Sequence, residues 1–107
     1  MYAPSTATGQ FGPFHPHALL RGAQRNITPA QMRLVAAYGR AVYVGNAIHH
    51  FFGRREVEDY RRELGCVVDH LCGTVVVCSH DDVILTTYRN RHALTYLRHK
   101  PKRTYKR

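Results

Sequence analysis

The stretch ITPAQMRLVAAYGRAVYVGNAIHHFF, residues 27–52, contains the change of hydrophobic period that decides the fold. Its first half predicts a helix, because Thr28 is a good N-cap and Pro29 suits the first helical position. Gly39 follows as a helix terminator. Three apolar residues of this half have the spacing of a core-facing stripe: Met32, Val35 and Ala36.

The second half of the stretch changes to a strand-like composition. The runs AVYV, 41–44, and AIHHFF, 47–52, are rich in β-branched and aromatic residues, and Gly45 and Asn46 between them suit a tight hairpin turn. Further strands are predicted over 66–71, 74–79 and 83–89. The valine run inside the second of these predicts a strand that is buried on both faces.

The remaining segments complete an α+β chain. Pro16 followed by residues 17–25 predicts a first helix, and the charged segment 55–64 predicts either a short helix or a long exposed loop. A further helical stretch is predicted after Asn90, before Pro101 stops it. We therefore predict an α+β fold, with two N-terminal helices packed on an antiparallel sheet and a basic C-terminal tail.

Charge is distributed unevenly along the 107 residues, which carry a formal net charge of +9. Residues 1–88 hold eight of the sixteen Lys and Arg and all seven Asp and Glu, whereas residues 89–107 hold the other eight cations and no acid. A basic balance of this kind indicates an anionic partner, and we expect it to be nucleic acid. The length allows one domain, which we place at 15–92, between an arm at 1–14 and a tail at 93–107.

Composition also bears on the compartment. No run of about twenty apolar residues is present, so a membrane-spanning helix is not expected. The first 17 residues lack Lys and Arg and do not resemble a secretory signal, and their richness in Pro, Gly, Ser and Thr predicts a flexible arm. Three cysteines argue against a closed disulfide framework and favour a reducing compartment. We predict a cytoplasmic protein with no membrane partner.

A row of three basic side chains lies on the first predicted helix. Residues His17, Arg21 and Arg25 are four apart and therefore share one helix face. Guanidinium groups offer forked donors that match phosphate oxygens, and an imidazole can transfer a proton near neutral pH. The row predicts a phosphate site with a proton-transfer group. The alternative is the solvated side of an amphipathic helix.

Two segments resemble a family of small uncharacterised RelE-like domains. HALLRGAQRNITPAQ, 17–31, is similar to the family's opening His-x-x-x-Arg-x-x-x-Arg helix with its capped second helix. GTVVVCSHDDVILTTYRN, 73–90, is similar to its closing hairpin with a Thr-x-Tyr-Arg ending, so that the resemblance covers about residues 15–92. It implies the superfamily of barnase, EndoU, colicin-type and RelE ribonuclease toxins. It also implies a fold with helices on one face of an antiparallel sheet, and an activity, metal-free RNA cleavage.

The resemblance implies roles for the helix row. In metal-free cleavage the 2′-hydroxyl attacks the phosphorus, so a base must take its proton, an acid must protonate the leaving oxygen, and cations must stabilise the phosphorane. By the resemblance, His17 transfers the proton while Arg21 and Arg25 hold the phosphate. No cofactor is expected.

The last predicted strand adds two further candidates. Thr86 and Tyr88 share one face because alternate strand residues point the same way, whereas Arg89 points to the other face. The resemblance implies that Thr86 orients the phosphate and that Tyr88 stacks on a base or donates a proton. The alternative for Tyr88 is a sheet aromatic that only packs.

Two adjacent histidines lie on an earlier predicted strand. One of His49 and His50 must face each side of the sheet. We predict that His50 joins His17 as the second half of an acid and base pair. The alternative is a structural strand histidine.

The pattern C-x3-H-x-C-x5-C-x-H suggests a zinc site, formed by Cys66, His70, Cys72, Cys78 and His80. Zinc needs four converging ligands, whereas these residues are spread along two predicted strands. A two-residue turn at Cys72 and Gly73 would point Cys78 away from the other two cysteines, and a register change of one would reverse this. We predict free cysteines that act as small apolar residues, and no metal.

The tail interleaves cations with tyrosines, which predicts salt-sensitive RNA binding with little sequence preference. The residues assigned to RNA binding are Arg89, Arg91, Tyr96, Arg98, Lys100, Lys102 and Arg103. The alternative is a solvated chain end.

Three functions remain open from the sequence. The first is a metal-independent ribonuclease of the RelE-like toxin type, acting on RNA that is free or on the ribosome, with an antitoxin or immunity protein as partner. The second is a non-catalytic RNA-binding or regulatory module, which the absence of lysine from residues 1–88 favours. The third is a structural interaction protein.

Overall fold

The computed structural model describes residues 13–93, which form four helices and one four-stranded sheet. The helices are α1 (Pro16–Gln24), α2 (Pro29–Tyr38), α3 (Arg54–Leu64) and α4 (Val67–Leu71). The strands are β1 (Arg40–Val44), β2 (Ala47–Phe52), β3 (Thr74–Ser79) and β4 (Ile84–Arg89). The α+β class is confirmed, with two helices ahead of an antiparallel sheet. Among the described residues, no helix has both the length and the apolar character that crossing a bilayer requires.

Helix α2 forms where the sequence places it. The Thr28 side chain accepts a hydrogen bond from the Gln31 N–H at 3.1 Å, and the Thr28 N–H donates to the Gln31 side chain at 2.9 Å. Gly39 ends the helix with an extended backbone, φ −70°. A Cβ there would lie 2.5 Å from the Val35 carbonyl oxygen and 3.1 Å from that of Phe51. Gly39 therefore permits close contact between the end of α2 and β2.

The sheet is antiparallel throughout, in the order β1-β2-β3-β4. The predicted hairpin is confirmed, with Gly45 and Asn46 joining β1 to β2 and Gly45 at φ 61°. Strand β4 lies at one edge, and residues 13–15 pair with the start of that edge. The His15 N–H donates to the Ile84 carbonyl at 2.8 Å.

A register shift interrupts the pairing of β3 with β4. Val77 lies opposite Thr86, whereas the next residue, Cys78, lies opposite Ile84. Leu85 is therefore an extra residue in β4, which makes this position a β-bulge. After the bulge, side chains two residues apart share a face up to the end of the strand.

The prediction of a strand over 66–71 is wrong, because this segment contains α4. Val68 and Leu71 are three residues apart and both fully buried, which is the spacing of one helical face. The Arg61 guanidinium donates two hydrogen bonds to the Asp69 carboxylate, at 3.0 and 2.8 Å, and so joins α3 to α4. Local β propensity is overridden here by tertiary packing.

The two-residue turn considered at Cys72 and Gly73 does not form. The Gly73 N–H instead donates to the Phe52 carbonyl at 2.7 Å, at the point where β3 begins beside β2. The charged segment before α4, predicted as a short helix or an exposed loop, is α3. The Glu56 carboxylate accepts the Gly53 N–H at 2.9 Å and closes its first turn.

Strand β3 is buried on both faces, as its valines predict, with Val75 and Val76 fully covered. The helices cover one face, where the largest core side chains are Met32, Val35, Phe52, Leu71 and Ile84. A smaller apolar cluster on the opposite face contains Phe51, Val75, Val77 and Ala93. Helix α1 packs on β4, and α2 packs on β2 and β3.

Candidate anion-binding cleft

A cleft of about 510 Å³ lies between α1 and the outer edge of β4. Its lining consists of three side chains of the helix row and residues 86–90, and it contains no acidic residue. The structure thus brings five of the six predicted catalytic residues to one place: His17, Arg21, Arg25, Thr86 and Tyr88.

Packing decides which face of α1 points to the cleft. Ala18 and Gly22 are the buried residues of the helix, and a Cβ on Gly22 would lie 2.6 Å from the Ile27 carbonyl oxygen. The His15 ring nitrogen Nδ1 accepts the His17 N–H at 3.0 Å and caps the helix start. With the small residues turned inward, the basic row faces outward.

Within the row, the Arg21 Nε–H donates to His17 Nε2 over a long 3.4 Å contact. A guanidinium stays protonated in proteins, so Nε2 must provide the lone pair. The His17 ring therefore carries its proton on Nδ1 in this arrangement. The cleft presents an imidazole lone pair directly beside a permanent cation.

The end of α1 is closed by a Schellman motif. The Ile27 N–H donates to the Gly22 carbonyl at 2.7 Å, and the Asn26 N–H donates to the Ala23 carbonyl at 3.3 Å. Asn26 takes the left-handed conformation, φ 59°, that this motif requires. The closure fixes Arg25 as the C-cap and leaves the carbonyls of Arg25 and Asn26 to other donors.

Those carbonyls are bound by Arg89, whose guanidinium contacts four protein oxygens. Nε and Nη2 lie 3.4 Å from the carbonyl oxygens of Arg25 and Asn26, respectively. Nη1 donates to the His70 carbonyl at 2.7 Å and to the Thr74 hydroxyl at 3.0 Å, and Nη2 lies 3.0 Å from His70 Nε2. Burial lowers the pKa of Arg89. Arg89 therefore joins the end of α1 to α4 and β3, and RNA binding by its guanidinium stays a prediction.

The two faces of β4 meet the cleft differently. Tyr88 packs with the Val75 cluster on the sheet face away from the helices, and Thr86 shares that face. Thr87 and Arg89 share the helix-covered face, and the Thr87 hydroxyl donates to the Val75 carbonyl at 2.8 Å. The predicted alternation is confirmed. The cleft is consequently a feature of the strand edge, with contributions from both faces.

Backbone groups of β4 also border the cleft. The Asn90 N–H donates to the Gly73 carbonyl at 2.7 Å. Because backbone bonds alternate sides along an antiparallel strand, the N–H groups of Thr87 and Arg89 point to the outer edge, beside α1. Sequence reasoning missed Thr87 and Asn90 as lining residues, since nothing local identifies β4 as an edge strand.

His50 is not brought to the cleft. On β2 it pairs with Ala41 and Val76, two strands away from β4. Burial lowers the pKa of His50 by disfavouring the imidazolium, and the negative charge of Asp82 opposes this shift. Its Nδ1 is buried with no hydrogen-bond partner among residues 13–93. Within this part of the chain, His17 is the one histidine that lines the cleft.

The cysteine and histidine pattern does not converge. The premise that it runs along two strands is wrong, since Cys66 and Cys72 flank α4. Cys78 is buried, and burial raises the pKa of its thiol to about 11, with a further contribution from Asp82. Across the described residues, no three His, Cys, Asp or Glu side chains gather as a metal ion would require.

Most of the predicted RNA-binding tail lies outside the described residues, namely Tyr96, Arg98, Lys100, Lys102 and Arg103. Of the cations after β4, Arg91 lies within them, at the border of a second cleft. Comparisons with protein-family models, with curated proteins and with solved structures give no significant match to this chain.

Proposed function

We propose that the protein binds RNA in the cleft between α1 and β4 and cleaves it without a metal ion. The observation that carries this proposal is the composition of the lining, in which the two guanidinium groups and the one imidazole of α1 meet with no acid. This set matches a phosphodiester in charge and supplies one proton-transfer group. The odd cysteine count and free thiols fit a cytoplasmic site of action.

Binding would rest on Arg21 and Arg25. No described residue accepts a hydrogen bond from the Arg25 guanidinium, while Arg21 makes the long contact with His17 and one at 3.2 Å to Gln24. The carbonyl end of a helix normally repels anions. Arg89 offsets that effect here by donating to the terminal carbonyls, so a phosphate can lie beside the last turn of α1.

Cleavage would proceed by transesterification. The RNA 2′-oxygen bonds to phosphorus, its proton passes to His17 Nε2, and the bond to the 5′-oxygen breaks. Water in the open cleft protonates the departing 5′-oxygen. Arg21 moves from the imidazole to the phosphate as RNA binds, which frees the Nε2 lone pair and stabilises the phosphorane. The products carry a 2′,3′-cyclic phosphate and a 5′-hydroxyl.

The test is incubation of end-labelled single-stranded RNA with the full chain in the presence of a chelator. We expect fragments with cyclic phosphate ends, and at least about a 100-fold loss of rate in His17→Ala. His80→Ala is the matched control, because His80 lies on the β3–β4 turn beside Tyr43 and outside the cleft. Equal cleavage by His17→Ala and the parent would contradict the assignment.

A second candidate is an RNA-binding module that does not cleave. The observation that favours it is the single histidine of the described lining, which leaves the leaving group without a second protein acid. In that case RNA is retained intact, Arg21→Ala and Arg25→Ala lose affinity, and His17→Ala does not. In either case an acidic antitoxin or immunity protein would bind over the same cleft.

A further inference from the structure

We propose that the RNA strand continues from the α1–β4 cleft into a second phosphate subsite at the end of β4. This inference rests on the proposed function and specifies how far along the RNA strand the protein makes contact. The subsite is a cleft of about 420 Å³ that contains three basic side chains and no acidic one: Arg54, Arg91 and His92. We call it the β4-end subsite.

The two clefts are lined by neighbouring residues of the chain. Asn90 lines the first cleft and Arg91 lines the second, so consecutive residues border both. Consecutive Cα atoms are about 3.8 Å apart. An extended strand that leaves the first cleft along the outer edge of β4 therefore reaches the second without crossing the sheet.

The chain after β4 is held in place around this subsite. The Asn90 side chain accepts the His92 N–H at 2.9 Å, and the Asn90 carbonyl accepts the Ala93 N–H at 3.0 Å. Gly73 lies under the stem of Arg91, since a Cβ on Gly73 would be 3.1 Å from the Arg91 Cγ. Arg91 and His92 are thus presented by an ordered turn that packs on the start of β3.

The arginines of the subsite differ from the paired arginines of the described residues. Within residues 13–93, no hydrogen bond or ion pair engages the side chains of Arg54 and Arg91. This differs from Arg40 and Arg61, which are both paired with carboxylates. Arg54 also borders a neighbouring cleft that contains Asp69, but the Asp69 carboxylate is already bound by Arg61. Unpaired guanidinium groups around a concave surface favour a phosphate ligand.

The experiment compares two lengths of single-stranded 2′-O-methyl oligouridylate, which cannot be cleaved because the nucleophile is blocked. One probe has a single internucleotide phosphate and the other has about seven. Affinity is measured against salt for the full chain and for the double variant Arg54→Ala, Arg91→Ala. Two exposed arginines of α3 outside both clefts supply the matched control, Arg55→Ala, Arg62→Ala.

For the longer probe, we expect the double variant to lose about tenfold in affinity. The slope of log affinity against log salt should become shallower by about 1.4, since each lost contact with a single strand removes about 0.7. The short probe should bind with unchanged affinity, because the first cleft holds its one phosphate. The control double variant should match the parent with both probes.

The outcomes separate the two proposals. If Arg54→Ala, Arg91→Ala behaves like the control while Arg21→Ala, Arg25→Ala weakens both probes, the β4-end subsite is refuted and the first cleft remains. If only Arg54→Ala, Arg91→Ala weakens binding, the proposed function fails and the subsite remains. Equal weakening of both probes by Arg54→Ala, Arg91→Ala would also refute the subsite. Thermal melting of each variant confirms that it is folded.

Discussion

Arginines on two sides of the molecule have opposite surroundings. On the α3–α4 side, Arg40 lies 3.3 Å from Glu56 and Arg61 lies 2.8 Å from Asp69, and these two helices carry five of the seven acids. On the α1–β4 side, the helix carries no acid and its arginines line an open cleft. Arg40 and Arg61 are therefore structural, whereas Arg21 and Arg25 are available to a ligand.

Net charge is therefore a poor guide to where this protein binds an anion. The residues before position 89 are almost neutral in total, yet they contain a cleft with no acid because the carboxylates lie elsewhere in the fold. Arg89 belongs to neither class. It lies under the cleft, but its donors bind backbone carbonyls, so it acts as a positioning residue for α1.

The largest effect on stability is expected for substitution of Arg89. Arg89→Ala removes the guanidinium from three carbonyls and should lower the free energy of unfolding by about 3 kcal/mol, because hydrogen bonds from a charged group are the stronger kind. Urea denaturation measures this loss. Arg89→Lys should recover only part of it, since an ammonium cannot reproduce the five-donor fork. If Arg89→Ala is as stable as the parent, Arg89 does not hold α1 in place.

The next largest effect on stability is expected on the α3–α4 side. Glu56→Ala should lower the free energy of unfolding by about 2 kcal/mol, since it leaves the Gly53 N–H and a partly buried Arg40 without their acceptor. Asp69→Ala is the control, because both partners of that pair are exposed and it should unfold at the same urea concentration as the parent. A larger loss for Asp69→Ala than for Glu56→Ala would reverse this ranking.

An acid placed on the α1–β4 side should weaken RNA binding without unfolding the protein. Arg21→Glu creates a Glu-to-Arg25 pair at i, i+4, which offsets the cost of an anion in the last turn of α1 and should leave the stability of the protein nearly unchanged. RNA affinity should nevertheless fall roughly tenfold or more, because a phosphate then faces a carboxylate. Fluorescence anisotropy and urea denaturation provide the two readouts. Unchanged affinity would show that the cleft is not the RNA site.

The smallest effect concerns His50, which lies between the two sides. Its pKa is lower in the folded protein than in the unfolded chain, so the unfolded state binds more protons below the ordinary value of about 6.5. Stability should therefore decline as the pH falls from about 7 to about 5. His50→Phe should show a shallower decline in urea denaturation at the two pH values. An identical pH dependence in His50→Phe would assign the decline to other groups.

Local signals in the sequence predicted most of the fold. Thr28 with Pro29, and Gly45 with Asn46, each place a helix start or a turn through chemistry contained within a few residues. The strand prediction for 66–71 is wrong because packing against distant residues, and not local chemistry, determines the structure there. The valines there favour a strand, but the chain needs a helix to bury Val68 and Leu71 against the core while returning to β2.

The residues of the candidate site also divide into those that local spacing predicts and those that depend on strand order. The row on α1 follows from helical spacing, so its three members could be predicted together. That β4 is an edge strand beside α1, and that His50 is two strands away, depends on strand order, which no local pattern of this sequence determines. The roles of these residues in RNA cleavage stay predictions.

The bulge at Leu85 implies that β4 tolerates a change of length at this one position. Because of that one additional residue, Ile84 and Arg89 both face the helices although an odd number of positions separates them. Deleting Leu85 would restore the regular alternation and leave Ile84 and Arg89 on the helix-covered face. Related chains can therefore lack this residue without exchanging the two faces of the strand.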